Sequence, residues 1–142
     1  MMLKTKLTVL ISALLLAGSS LANQIKPQVC PGVPFIQSEG MSMSAEILEG
    51  MYITYNLSHY NTSSNWVFII GPIAAQNDEM ALEEGNKLLS VMSGSPTPED
   101  DGEGNWICQY NTNAQDIIAF AIEADDMISP LKMMRYLRTV RS

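Results

Sequence analysis

The chain is short of the residues that carry most familiar chemistry. It has one histidine, His59, and two cysteines, Cys30 and Cys108, in 142 residues. One histidine rules out zinc sites built on two or three of them. A Ser-His-Asp triad has only His59 as its base, and no serine sits in a nucleophile-elbow setting. Cations are scarce too, with eight Lys and Arg against fifteen Asp and Glu. Nucleic-acid binding needs a basic footprint that this balance lacks. Behind residue 22 no run is long and apolar enough for a bilayer span, which takes about 20 residues. With its polar residues scattered, the chain reads as a binding protein and not as an enzyme.

What is present starts at the N-terminus. Lys4 and Lys6 precede an apolar run of 11 residues, Leu7 to Ala17, and Ser20-Leu21-Ala22 supplies small residues at a cleavage site. Residues 1–22 therefore read as a cleavable signal peptide, with cleavage before Asn23. The apolar run is short for an N-terminal membrane anchor. Ser19 stands where a lipobox requires Cys. The expectation is a bacterial protein that is periplasmic or secreted. Cleavage leaves all fifteen acids and six of the eight cations, a net charge of −9. Two cysteines in an oxidising compartment most simply form one disulfide, Cys30–Cys108. The alternatives are a free thiol or a haem-ligating Cys30-Pro31 pair.

Pro27, Pro31 and Pro34 make residues 23–34 an extended arm, ahead of a single domain at 35–142. Phe35-Ile36 suits the opening of a strand, and Ser44 to Leu48 suits either a strand or a short helix. Tyr52 to His59 alternates and reads as a strand. Its one face carries Ile53, Tyr55, Leu57 and His59; the other carries Tyr52, Thr54, Asn56, Ser58 and Tyr60. Trp66 to Ile70 is a continuous apolar run, expected of a buried strand closed by Gly71-Pro72. Asn77 or Asp78 caps a helix with Ala81, Leu82, Leu88, Leu89 and Met92 on its apolar side, and Gly94 suits its stop. Ser95 to Asn105 is an acidic loop. Trp106 to Tyr110 and Ile117 to Ile122 read as two more strands. Ser129-Pro130 opens a helix that runs to about Thr139. Tyr60-Asn61-Thr62 recurs as Tyr110-Asn111-Thr112, and strand, strand, helix recurs with it. That order predicts an α+β fold: an antiparallel sheet with two helices packed on one face and a strand-strand-helix internal repeat.

Tyr52, Tyr55, His59 and Tyr60 fall within nine residues. They form either ordinary strand aromatics or a flat platform whose phenols and imidazole can ligate ferric haem. Lys132, Arg135, Arg138 and Arg141 follow at three-residue spacing and make one stripe on a helix. The bland reading is solvation and a favourable helix C-terminus. The functional reading is an anion contact, to haem propionates, an acidic partner or the chain's own acidic loop. Glu99-Asp100-Asp101-Gly102-Glu103 lacks EF-hand spacing and reads as a solvated turn, so no metal site is expected there. Met41 and Met43 are a weaker pair of soft ligands.

The short signal peptide, the Cys30 arm, the strand WVFII with its Trp, and the basic C-terminal helix resemble a family of small exported proteins of intracellular Gram-negative pathogens. One member of that family is described as a hemin-binding protein. The resemblance implies haem as cofactor or cargo, a role in iron acquisition, and a virulence-associated protein. It transfers no ligand motif and no catalytic residue. In this sequence the residues available for haem are His59, Tyr55, Tyr52, Tyr60, Arg135 and Arg138. The second expectation is an exported protein–protein interaction module working through the sheet face or the arginine stripe.

Overall fold

The structure, a computed structural model, describes Pro27 and residues 29–141. The segment read as a signal peptide lies outside the described residues. In chain order the elements are α1 (Val33–Glu39), β1 (Met43–Leu48), β2 (Met51–Ser58), β3 (Trp66–Ala74), α2 (Asp78–Ser90), β4 (Glu99–Asp100), β5 (Trp106–Tyr110), β6 (Ile118–Glu123) and α3 (Pro130–Arg141). All six strands join one antiparallel sheet in the order β1-β2-β3-β6-β5-β4. This is the expected α+β class, with helices packed against the sheet.

The helices divide between the two faces, which differs from the expectation that both long helices share one. Trp66, Phe68 and Ile70 pack with Ile36 of α1 and with Leu88 and Leu89 of α2. Val67 and Ile69 pack on the other side with Met133, Tyr136 and Leu137 of α3. The cause is the apolar run of β3. A central strand that is apolar at every position needs cover on both faces.

Register explains why the repeat does not place its helices symmetrically. Phe68 pairs with Ala121 and Ile69 with Phe120, so each pair shares a face. The residue fifty positions after Phe68 is Ile118, which packs on the α3 side, whereas Phe68 packs on the α2 side. Equivalent positions of the repeat thus point to opposite faces, and the helices follow them.

Three local expectations change. Of the arm read at 23–34, residues 23–26 and 28 lie outside the described residues; Gly32 is the N-cap of α1, and Pro34 lies in its first turn. Proline fits there because the first turn has no hydrogen bond for its missing N–H to make. Phe35-Ile36 is therefore helical, with Ile36 buried in the core. Of the two readings of Ser44 to Leu48, the strand is the one realised, beginning at Met43. Finally, β3 continues through Gly71-Pro72 to Ala74, with a register shift between Tyr52 and Thr54. A Cβ on Gly71 would stand 2.8 Å from Ile53 Cγ2, so the strands approach this closely only with glycine there.

The N-cap expectations hold, whereas α2 ends at Ser90 with Val91 as its C-cap, ahead of the Gly94 expected as its stop. Asn77 accepts from the Met80 N–H at 2.8 Å at the start of α2. Ser129 Oγ accepts from the Lys132 N–H at 3.2 Å at the start of α3. The two cysteines are joined, Cys30–Cys108, across a sequence separation of 78. Beside that bridge the Tyr110 hydroxyl donates to the Pro31 carbonyl. Arm and sheet are pinned at adjacent residues.

Candidate functional site

The structure separates the residues proposed for haem. Tyr60 follows β2 in a turn, with φ 47, and is 1% exposed in the α1/α2 core. Burial first, and the nearby Glu39 carboxylate second, push its phenol well above the ordinary tyrosine range. Tyr52 is buried on the α2 side of β2, its phenol raised by desolvation and then by Glu46 and Asp78. The Tyr60 phenol is sealed from an external ligand. His59 lies past the end of β2, exposed, with Nδ1 3.2 Å from the Ser64 carbonyl. Its own carbonyl accepts from Thr62 Oγ1 at 2.7 Å, so His59 is built into a turn. Tyr55 alone of the four is half-buried against the α3 core.

The arginine stripe meets the chain's own acids. Asp101 and Glu103 line a small cavity of about 80 Å³ together with Lys132, Arg135 and Tyr136. Burial raises the Tyr136 phenol most; Asp101 and Glu103 raise it further, and Arg135 opposes them. Of the anions expected for the stripe, those of the acidic loop lie beside Lys132 and Arg135. That loop contains β4, which pairs Glu99 with Ile107 and Asp100 with Trp106. Its carboxylates serve their own turn: Asp100 accepts from Gly102 N–H, and Asp101 from Glu103 N–H and Asn105 N–H.

Arg138, one turn further on, faces different surroundings. It lines a groove of about 260 Å³ with Ile47, Leu48, Met51, Pro72, Met134 and Leu137. The β1–β2 hairpin forms one wall and α3 the other. Leu48 is 61% exposed at the rim. Two thioethers, Met51 and Met134, line it. The Met41/Met43 pair does not serve here, because Met41 is buried in the opposite core and Met43 pairs with Tyr55 on β1. Two other grooves flank the sheet. One, of about 570 Å³, has Asn105, Trp106, Glu123, Asp125, Asp126 and Lys132 among its lining. The other, of about 370 Å³, runs between Val29–Pro34 and Gly94–Pro98.

Fold and site together define a small α+β domain stapled by one disulfide, with three of its grooves bordered by a basic C-terminal helix. The chain belongs to the family described as a domain of unknown function, DUF4949, whose model matches residues 29–136, from the arm to the middle of α3. No curated protein and no solved structure matches the chain. The disulfide is what an oxidising compartment produces. Among the described residues no helix is long and apolar enough to cross a membrane. Both observations are compatible with a periplasmic or extracellular protein.

Proposed function

We propose that the chain is an exported hemin-binding protein serving iron acquisition, and that hemin seats one edge in the groove between the β1–β2 hairpin and α3. Two things support this reading. The first is the resemblance of its layout to a family with a hemin-binding member. The second, which carries the placement, is an apolar groove with a guanidinium on it. Hemin is a flat apolar ring with two carboxylates. Ile47, Leu48, Pro72 and Leu137 suit the ring, and Arg138 suits a carboxylate. The thioethers of Met51 and Met134 belong to a side-chain class that ligates haem iron. At about 260 Å³ the groove falls just below the range of about 300–1,000 Å³ for enclosed ligand pockets, which suits an edge held and a face left open. His59, Tyr52 and Tyr60 leave the site in this reading. Tyr55 and Arg135 stay on the same side of the sheet.

The test is a hemin titration of the disulfide-bonded protein followed by the Soret band. Arg138→Glu and Met134→Ala weaken the shift, while His59→Ala and Tyr52→Phe leave it unchanged. Repeating it with reductant asks whether Cys30 takes part. No saturable shift at micromolar hemin would sink the reading. The second reading, an exported protein–protein interaction module, is favoured by the acid-lined groove at Glu123, Asp125 and Asp126, which suits a cationic segment of a partner. It predicts co-purification of a partner that is lost on Asp125→Lys with Asp126→Lys. Both roles are binding without catalysis.

A further inference from the structure

The two edges of the sheet are guarded differently. At one edge β4 has two residues, Glu99 and Asp100, both exposed acids. A short charged strand is a usual guard against further pairing. At the other edge stands β1. Among the described residues it pairs with β2 alone. It has six residues, with no proline and no lysine. A register shift between Glu46 and Leu48 leaves residues 43–46 as its regular stretch. Met43, Ser44 and Ala45 are half-buried and Glu46 is exposed, so none of them is covered. The outer backbone N–H and C=O groups of such a strand are a template for one more.

The side chains say what that added strand carries. Ala45 packs against the α3 core, and Met43 pairs with Tyr55 on the same face. Ser44 and Glu46 share the α2 side, paired with Thr54 and Tyr52. There Ser44 Oγ donates to Asp78 Oδ1 at 2.7 Å, and Glu46 Oε2 accepts from the Gly50 N–H at 2.9 Å. Both donors are neutral, so these bonds hold the carboxylates in place without cancelling their charge. We propose that the β1 edge takes an extended segment of a partner protein as a seventh strand, one that alternates basic with aliphatic residues. Its aliphatic side chains extend the row of Met43 and Ala45, and its cations face Glu46 and Asp78. A second copy of this chain does not fit. Antiparallel pairing opposes side chains of one face. Registers centred on Ser44, Ala45 and Glu46 therefore bring Asp78 to Asp78, Glu46 to Asp78, and Glu46 to Glu46, like charges each time. Residues 43–46 line neither the hemin groove nor the groove at Asp125 and Asp126, so this inference stands apart from both binding readings.

The test is a titration of the chain from Asn23 onward, disulfide intact and hemin absent, with short capped peptides. Binding is read by NMR shifts and amide exchange at residues 43–46. One peptide alternates Lys with Val, and a second alternates Glu with Val. A third is the Lys-Val peptide N-methylated along one edge. The Lys-Val peptide should bind about tenfold more tightly than the Glu-Val one. It should protect the β1 amides and lose most of its advantage in about 0.5 M salt. N-methylation should abolish binding, because it removes the donors that join the strands. Glu46→Gln with Asp78→Asn, which keeps shape and removes charge, should erase the preference for Lys over Glu. The peptide comparison uses the unaltered chain, so it decides the matter even where that variant fails to fold. Equal binding of the Lys and Glu peptides, binding that survives N-methylation, or no binding of the Lys-Val peptide overturns the proposal. A sedimenting dimer with its β1 amides protected before any peptide is added seats a second copy there and overturns it as well. So does loss of peptide binding on Asp125→Lys with Asp126→Lys, which moves the peptide to the acid-lined groove.

Discussion

The two faces of the sheet are built to different standards. The α1/α2 face buries Trp66, Phe68, Tyr60 and Tyr110 in one cluster of fourteen buried residues and is tied by the Cys30–Cys108 bridge. Among the described residues the α3 face has nine that are buried and no covalent tie, and grooves open along both flanks of its helix. A thicker, stapled core supplies stability. A thinner core under a terminal helix leaves apolar and charged groups at the surface, where they can bind. The thicker, stapled core puts the larger share of stability on the α1/α2 face, and the proposed function puts binding on the α3 face; that division breaks down if substitutions on the two faces have the same consequences.

The largest effect should come from the staple. A loop of 78 residues gives roughly 4 to 5 kcal/mol in the chain-entropy model, with measured bridges often giving less. Cys30→Ala with Cys108→Ala should therefore lower the denaturant midpoint sharply. Hydrogen exchange should show α1 and the arm losing protection before α3 does. If α3 loses protection first, the assignment of stability to the α1/α2 face is wrong. Next comes the approach of α2 to the sheet. A Cβ on Gly85 would stand 2.6 Å from Thr54 Oγ1 and 2.9 Å from Thr54 Cγ2. Gly85→Ala should cost about 1 to 3 kcal/mol by overpacking. Thr54→Ala in the same chain should return part of it, and a double-mutant cycle reads the coupling. Additive effects would mean that helix and strand separate without strain.

Alkaline pH offers a third, smaller contrast. Burial raises the phenols of Tyr60 and Tyr110, so each ionises at higher pH folded than unfolded. The sign follows directly. The unfolded chain loses these protons first, above the ordinary value of 10.0, so stability is intact below that pH and falls as pH rises beyond it. The slope is at most about 1.4 kcal/mol per group per pH unit. Tyrosinate absorbance at 295 nm, read with far-ultraviolet circular dichroism, should show these two phenols ionising together with unfolding. Ionisation of either before unfolding contradicts the sealed core.

Fold class was legible because it is written locally. The alternation of Tyr52 to His59 and the unbroken run Trp66 to Ile70 each specify a strand, and Asn77 and Ser129-Pro130 specify helix starts. The division of helices between faces was not, because it depends on which residue of β6 opposes Phe68, a long-range pairing. Helix α1 was hidden by Pro34 and Phe35-Ile36, whose composition suits extended chain equally well. At the site, three-residue spacing revealed the arginine stripe, yet spacing does not show that Arg135 meets Asp101 and Glu103 while Arg138 meets Met51 and Leu48. The groove joins residues from 47 to 138, and only the tertiary fold brings them together. The alternation of Tyr52 and Tyr55 between faces was legible too, whereas the end of β2 at Ser58, which leaves His59 and Tyr60 beyond the strand, was not.

The smallest expected effect separates the faces most cleanly. Asn77→Ala and Ser129→Ala each remove one N-cap acceptor, and each should cost about 1 kcal/mol of stability. Chemically the two changes are alike, one at the start of α2 and the other at the start of α3. Their consequences for binding should differ. Helix α2 borders no wall of the hairpin groove, whereas α3 supplies Met134, Leu137 and Arg138 to it. Fraying α3 lowers the population of the groove in its binding-ready form, and apparent affinity falls in proportion to that population. On the hemin reading, Ser129→Ala should weaken hemin binding severalfold and Asn77→Ala should leave it unchanged, at matched loss of stability. Equal weakening by both would place the ligand elsewhere, and equal indifference would mean that α3 holds its position through Met133, Tyr136 and Leu137 without help from its cap.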